Sequence, residues 1–242
     1  MGATSTVGRA LRHRNYRLYF TGQGISLIGT WLTKVATAWL VYRVTGSAWL
    51  LGVVGFAGQI PTFVLAPLAG VLVDRWDRYR VLLTTQTLAM LQSALLAILA
   101  LGGVIQVWEI VALNVVQGLI DAFDMPVRQS MIVQMVDDRA DLPNAIALNS
   151  SMVNGARLLG PAIAGVLIAV VGEGVCFLID AISYAAVILS VLLMRLDTQA
   201  RAPRTTHVMH DMAVGFRYAV GFPPIRALLL LLAVSGMAGR PF

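Results

Sequence analysis

The sequence predicts an all-α membrane protein, and three observations carry that prediction. Of its 242 residues, 58% are hydrophobic and only 12% are charged, where a soluble domain carries roughly a quarter of its residues as Asp, Glu, Lys and Arg. Stretches of about 20 apolar residues, long enough to span the hydrocarbon core of a bilayer, follow one another along the chain. They are continuously apolar rather than alternating, which selects helices over the strands of a barrel.

The spans are expected near residues 18–42, 48–73, 81–102, 104–125, 145–171 and 174–195, with a seventh starting near 225. The first follows the basic segment "MGATSTVGRALRHRNYR", and its apolar run is too long and too interrupted for a cleavable signal. The second carries Gly52, Gly55 and Gly58, three apart, which would let helices approach closely. Asp74, Arg75, Asp77, Arg78 and Arg80 form a charged turn before the third span. The fourth, "VIQVWEIVALNVVQGLIDAF", opens at an interfacial Trp108 although Glu109, Asp121 and Asp124 lie near its ends. The fifth contains "PAIAGVLI", an echo of "PLAGVLV" in the second. These two spans run in opposite directions, so the echo points to an inverted repeat of three helices plus three. The sixth holds Cys176, the single cysteine, so neither a disulfide nor a zinc site is expected.

The chain therefore divides into a six-helix bundle over 1–196, a linker over 197–224 and a seventh helix over 225–242. The linker contains His207 and His210, but with no further Cys or His nearby it reads as a polar connection rather than a metal site. The last apolar run stops at Phe242 without a polar exit, which reads as a truncation.

Arginine sets the expected topology, because Lys and Arg accumulate in loops that stay in the cytoplasm. Arg9, Arg12, Arg14 and Arg17 precede the first span, and Arg75, Arg78 and Arg80 follow the second. Arg128 and Arg139 follow the fourth, and Arg195, Arg201 and Arg204 the sixth, whereas the opposite loops offer only Arg43. The N-terminus is expected inside, and the net charge of +6 belongs to the inner membrane face rather than to a nucleic-acid site.

Four ionisable residues fall within spans: Lys34, Asp121, Arg157 and Asp180. Such groups are costly in a membrane and face a bundle interior or a wet cavity. Depth, at about 1.5 Å per residue, matches Lys34 with Asp180 and Arg157 with Asp121 as two pairs of opposite sign. These pairs either fix helix packing or line a polar pathway for a solute or proton.

The charged turn resembles the hallmark of the major facilitator superfamily, Gly-x-Leu-x-Asp-Arg-x-Gly-Arg-Arg. Gly70, Leu72, Asp74, Arg75 and Arg78 stand in register, while Asp77 replaces a glycine and Tyr79 an arginine, with Arg80 adjacent. "GVLVDRWDRYRVLL", "FDMPVRQS", "DLPNAIALNSSMVNGARLLGPAIAG" and "TGSAWLLGVVGF" are similar to the bacterial branch of enterobactin exporters and macrolide-efflux-like proteins. The antiporter motif of the fifth helix, Gly-x-x-x-Gly-Pro-x-x-Gly-Gly, is matched by Ala156, Gly160, Pro161, Ala164 and Gly165, with alanine twice in place of glycine. The fourth-helix motif, Arg-x-x-Gln-Gly, keeps Gln117 and Gly118 but has Asn114 for the arginine implicated in proton coupling, which leaves Asp121 and Arg157 as the better proton-coupling candidates.

The resemblance implies the N-terminal bundle of the major facilitator fold, in a carrier that rocks two six-helix halves about a central solute site. It implies a small amphipathic or siderophore-like substrate, export driven by proton exchange, and a multi-pass position in the bacterial inner membrane. Gln23, Lys34, Asn114 and Gln117 are the side chains expected to line the cavity. The resemblance also implies a latch in which Asp74 faces a helix of the second half and Arg78 reaches Asp124. The partners expected are the bilayer, a small-molecule substrate and a C-terminal half or second copy. No cofactor is implied. No His-Glu-x-x-His, Gly-x-Ser-x-Gly or phosphate-binding loop is present, so an enzyme has no visible basis. The alternative expectation is a non-transporting half-transporter or membrane-assembly module.

Overall fold

The computed structural model describes residues 8–195, together with 217, 221–222, 224–228 and 231. A short 3-10 turn, Arg9–Arg12, leads into α1 (Arg14–Thr45) and α2 (Ala48–Val73). Then follow α3 (Arg78–Leu101), α4 (Val107–Met135), α5 (Leu142–Val171) and α6 (Glu173–Leu193). All six are long and apolar enough to cross a membrane. No strand occurs among the described residues. The expected linker and seventh helix lie largely outside the described residues, although 224–228 are helical.

Local chemistry accounts for the boundaries. The chain turns between α1 and α2 at Gly46, whose φ of 63° suits glycine. Ser47 then caps α2 by accepting from the Leu50 amide. Asp77 caps α3, its carboxylate accepting from the Tyr79 and Arg80 amides at 2.9 and 3.3 Å. The residue that departs from the glycine of the family hallmark is thus the one that starts this helix. A reciprocal Gln106 and Glu109 capping box starts α4.

The clearest departure from expectation is the end of α4, which continues ten residues beyond 125, to Met135. Asp124 and Arg128 resemble a span end and its exit loop in sequence, but in the fold they bind each other within the helix, one turn beyond Asp121. Pro126 is accommodated inside the helix, as membrane helices permit when neighbours satisfy the freed backbone.

Packing follows a two-fold pattern. α1 packs on α5 and α6, α4 packs on α2 and α3, and α3 packs on α6. Exchanging helices one to three with four to six returns the same set of neighbours, which is the connectivity of a 3+3 inverted repeat. The "PLAGVLV" and "PAIAGVLI" echoes occupy the exchanged helices α2 and α5, and their matching alanines, Ala69 and Ala164, are both fully buried.

Close approaches depend on glycine at a few positions. A Cβ on Gly118 would collide with the carbonyl oxygen of Gly58, so α2 and α4 meet backbone to backbone there. Gly22 and Gly29 of α1 play the same part against Ser190, and against Ser183 and Asp180, of α6. Gly52 and Gly55 face open space, so of the expected glycine stripe only Gly58 serves the packing within this bundle.

Candidate functional site

Two large apolar clusters hold the bundle together, with a small third one of Ala89, Ile120 and Tyr184 beside them. One gathers Tyr16, Tyr19, Leu82, Met131 and Val191 near the end that carries the N-terminus. The other gathers Leu32, Leu40, Leu96, Ile110 and Phe177 toward the opposite end. Along α1, α3, α4 and α6 the residues between these clusters are polar to an unusual degree, and a cavity of about 240 Å³ opens there.

Five helices contribute to its wall. Tyr19, Gln23, Ser26, Thr30, Trp31 and Lys34 come from α1, and Gln86 and Ala89 from α3. Gln117, Asp121, Asp124, Arg128 and Gln129 come from α4, Asn149 and Val153 from α5, and Tyr184 from α6. The spacing of the α1 and α4 residues, three or four apart, puts them on one face of each helix.

The charges form two groups. Asp124 is bound to Arg128 at 2.7 Å. Its other oxygen accepts from the Thr85 hydroxyl at 2.8 Å and the Gln86 amide at 2.7 Å. This buried carboxylate is therefore satisfied by α3 and α4 together, which is the condition for a charge to persist in an apolar interior. Asp121 is less engaged: its hydrogen bond comes from the Gln117 amide, one turn earlier on the same helix, at 3.0 Å. Lys34 lies over the Trp31 ring, 5.0 Å from its centre, a cation–π arrangement.

Acceptors are in surplus. Gln23 Oε1, Gln86 Oε1, Gln117 Oε1 and Ser26 Oγ are buried without a hydrogen-bond partner, and all four residues belong to the cavity wall. A buried polar atom left unpaired costs about 1–3 kcal/mol, so a donor-bearing guest or ordered water is stabilised there.

Neither sequence-expected charge pair forms. Among the described residues no ion pair joins Lys34 to Asp180. Asp180 instead accepts from Thr33 at 2.7 Å and Ser93 at 2.6 Å, and lies outside the cavity. Arg157 is exposed on α5 and makes no ion pair with Asp121. Depth along the membrane normal was compatible with both pairs, but the rotation of each helix about its axis was not.

The latch geometry also differs from the expectation. Arg78 binds Asp74 at 3.0 Å across the turn between α2 and α3, while Asp124 takes Arg128. Arg80 lies 3.5 Å from Asp77. Gly70 has open space beside it, and Leu72 and Arg75 are half-buried.

The remaining expected residues divide in two. Gln23, Lys34, Gln117 and Asp121 reach the cavity, whereas Asn114 turns back to donate to the Ile110 carbonyl at 2.9 Å. In the α5 motif, Ala156, Gly160 and Ala164 are buried at a spacing of four, and Gly160 meets the Trp31 side chain. Pro161 is half-buried beside them, whereas Gly165 faces outward with open space around it. Much of this motif therefore shapes α1–α5 packing. Arg128, Gln86, Trp31 and Tyr184 were missed. Arg128 had been assigned to a loop, and only its i+4 spacing from Asp124 signalled the pair.

Comparison with known proteins now bears on the polar cavity inside six membrane-length helices. The profile described as transmembrane secretion effector, a major facilitator family, matches residues 5–239. The chain belongs to this family.

Its membership makes the chain a multi-pass membrane protein of the major facilitator superfamily. Within the transmembrane secretion effectors and their kin, it is 29% identical over 177 residues to the staphyloferrin A transporter of Staphylococcus aureus. That alignment covers 73% of this chain and 44% of the relative. It is 23% identical to macrolide efflux protein A of Streptococcus pyogenes, over 95% of this chain and 62% of the relative. It is 29% identical to the multidrug efflux pump Tap of Mycolicibacterium fortuitum, over 86% of this chain and 53% of the relative. The chain thus spans about half the length of the curated relatives it matches. The family is one of transporters rather than enzymes.

Proposed function

We propose that this chain forms the N-terminal half of a proton-coupled secondary exporter in the bacterial inner membrane, with its N-terminus in the cytoplasm. Its cargo is a small amphipathic molecule of the siderophore or macrolide type. The observation that carries the reading is the cavity between the two apolar clusters, walled by Asp121, Lys34 and unpaired amide oxygens within membrane-length helices. The names of the relatives support the direction and the cargo class.

In this reading each group has a distinct task. Asp121 faces the cavity and is held on its own helix by Gln117 alone, so it is free to exchange a proton for a cationic or hydrogen-bonding group of the cargo. Gln23, Gln86 and Gln117 complete their hydrogen bonds when cargo donors enter. Trp31, Tyr19 and Tyr184 supply apolar and aromatic contact. Asp124 and Arg128, braced by Thr85 and Gln86, keep α3 and α4 in register while the cavity changes access. Arg157, exposed on α5, belongs to the transport pathway only through a surface that this bundle leaves open. The second wall of the cavity comes from a C-terminal half or from a second copy.

The test is co-expression of the chain with a matching C-terminal half in cells lacking their own exporters. Siderophore secretion and macrolide tolerance should rise, and Asp121→Asn should abolish the gain at unchanged membrane abundance. An unaltered secretion and tolerance profile at good abundance of both halves sinks the proposal.

A further inference from the structure

At the end of the bundle that carries the N-terminus, the segment before α1 and the first turn of α1 are fastened to the α4–α5 connection and the first turn of α5. The Ala10 amide donates to Asn144 Oδ1 at 3.0 Å, and the Tyr16 hydroxyl donates to the Ala145 carbonyl at 2.7 Å. Arg9 Nε lies 3.2 Å from Asp141 Oδ1. The centre of this contact is His13. Its Nδ1 is 3.1 Å from Asp137 Oδ2 and its Nε2 is 3.2 Å from Asp141 Oδ2. One imidazole thus spans two carboxylates that stand four residues apart.

The protonation state of that ring decides which of these bonds exist and whether they join opposite charges. An imidazolium has two N–H donors and can satisfy both carboxylates, whereas a neutral ring has one donor and one acceptor. When neutral, the ring can donate from Nε2 to Asp141 while Nδ1 accepts the Asp137 backbone amide, which lies 3.3 Å away. The Asp137 side chain, 85% exposed, then loses its partner. The groups facing the ring are Asp137 and Asp141 from the α4–α5 connection, with Arg9 bound to the second of them.

We infer that His13 is a proton-operated clasp, which ties the N-terminal turn to the α4–α5 connection when protonated and loosens it when neutral. The consequence reaches the cavity, because α1, α4 and α5 all contribute to its wall and the clasp joins the start of α1 to the end of α4 and the start of α5. A closed clasp holds these three helix ends as one unit. A neutral ring leaves the Asp137 amide, Arg9–Asp141, Ala10–Asn144 and Tyr16–Ala145 contacts in place, and holds the end of α4 that carries Gln129 and Ile132 to α1 less tightly.

The charges around the ring favour the closed form. Partial burial of the imidazole opposes protonation, but hydrogen bonds and negative charge from Asp137 and Asp141 more than offset it, so its pKa is raised above the ordinary 6.5. A group whose pKa is raised on folding contributes stability that is complete below the unfolded value and is lost as pH rises through the folded one. The clasp is therefore closed at pH well below the raised value and opens as pH rises through it.

The test uses the whole chain in lipid nanodiscs, with the histidines isotopically labelled and titrated by NMR over about pH 5 to 8. Hydrogen exchange of the segments around Ala10 and 136–141 is read in parallel, corrected for its intrinsic pH dependence. His13 should titrate above 6.5, and Asp137→Asn and Asp141→Asn should each move it back toward that value. Protection of both segments should fall with the same midpoint. In His13→Gln that pH-dependent loss should vanish. Asp137→Asn alters an exposed side chain and keeps the test decisive where His13→Gln folds poorly. A His13 titration at or below 6.5, or an opening midpoint untouched by Asp137→Asn, overturns the inference. Neither readout depends on transport.

Discussion

Asp124 is a buried carboxylate in the cavity wall. It is 4% exposed and bound by Arg128, Thr85 and Gln86. Removing one partner of such a buried pair leaves the other uncompensated, at a cost of about 3–5 kcal/mol. Asp124→Asn should therefore lower the thermal midpoint of the purified chain, and Asp124→Asn with Arg128→Gln should recover a large part of the loss. With Arg128→Gln measured alone as well, a double-variant loss equal to the sum of the two single losses would show that the two side chains do not couple. Arg157 gives the opposite expectation. Because it is exposed and forms no ion pair among the described residues, Arg157→Ala should leave membrane abundance and thermal midpoint unchanged. A collapse in abundance would mean that it is a structural pair after all. Asp74→Asn removes a bond between an exposed carboxylate and the mostly buried Arg78 side chain, and the exposed half keeps it near the weak end of ion pairs, about 1 kcal/mol. It should be nearly silent in this chain and harmful in a carrier with both halves. Equal effects in the two settings would remove any role for Asp74 beyond this bundle.

At the scale of the helices, small residues decide who may touch whom. α2 crosses α4 where Gly58 meets Gly118, and a side chain at 118 has no space because it points at a backbone carbonyl that cannot yield. Gly118→Val should separate these helices, lower the melting midpoint and reduce the accumulation of folded chain in membranes. Gly55→Ala, with open space at that position, should do neither. A matched response from the two variants would show that helix propensity rather than packing governs both. The same reasoning explains Gly160. It admits Trp31 against α5, and through Trp31 it sets the position of an aromatic side of the cavity. Here the motif residues were legible in the sequence but their partner was not. Small size at a spacing of four marks a contact face and carries no information about which helix will fill it. Similarly, the extent of α4 was hidden because Asp121, Asp124, Pro126 and Arg128 carry the composition of a loop exit. The bonds from Thr85 and Gln86 of α3 to Asp124, and between Asp124 and Arg128, hold this stretch within the bundle.

For the whole molecule, the network of helix contacts is symmetric under exchange of the first three helices with the last three. The cavity lies between two apolar clusters, with α1 and α4, which this exchange relates, supplying the larger part of its wall. A wall built on such an axis is suited to face a second bundle. Crosslinks between the open face of α5, through Leu158 or Leu159, and a co-expressed C-terminal half should form in membranes. Crosslinks between two copies of this chain would instead favour a homodimer.

The order of the first six spans, and their approximate limits apart from the end of the fourth, were legible in the sequence, because each is settled by the local free energy of placing about 20 apolar residues in lipid. The family was legible too, since the charged turn and the small-residue motifs are contiguous strings. The partners of Lys34, Arg78, Asp121, Asp124, Arg157 and Asp180 were decided only by the tertiary structure. Their depth follows from counting residues, but their direction follows from helix rotation, and rotation is set by glycine contacts and apolar packing summed over the whole bundle.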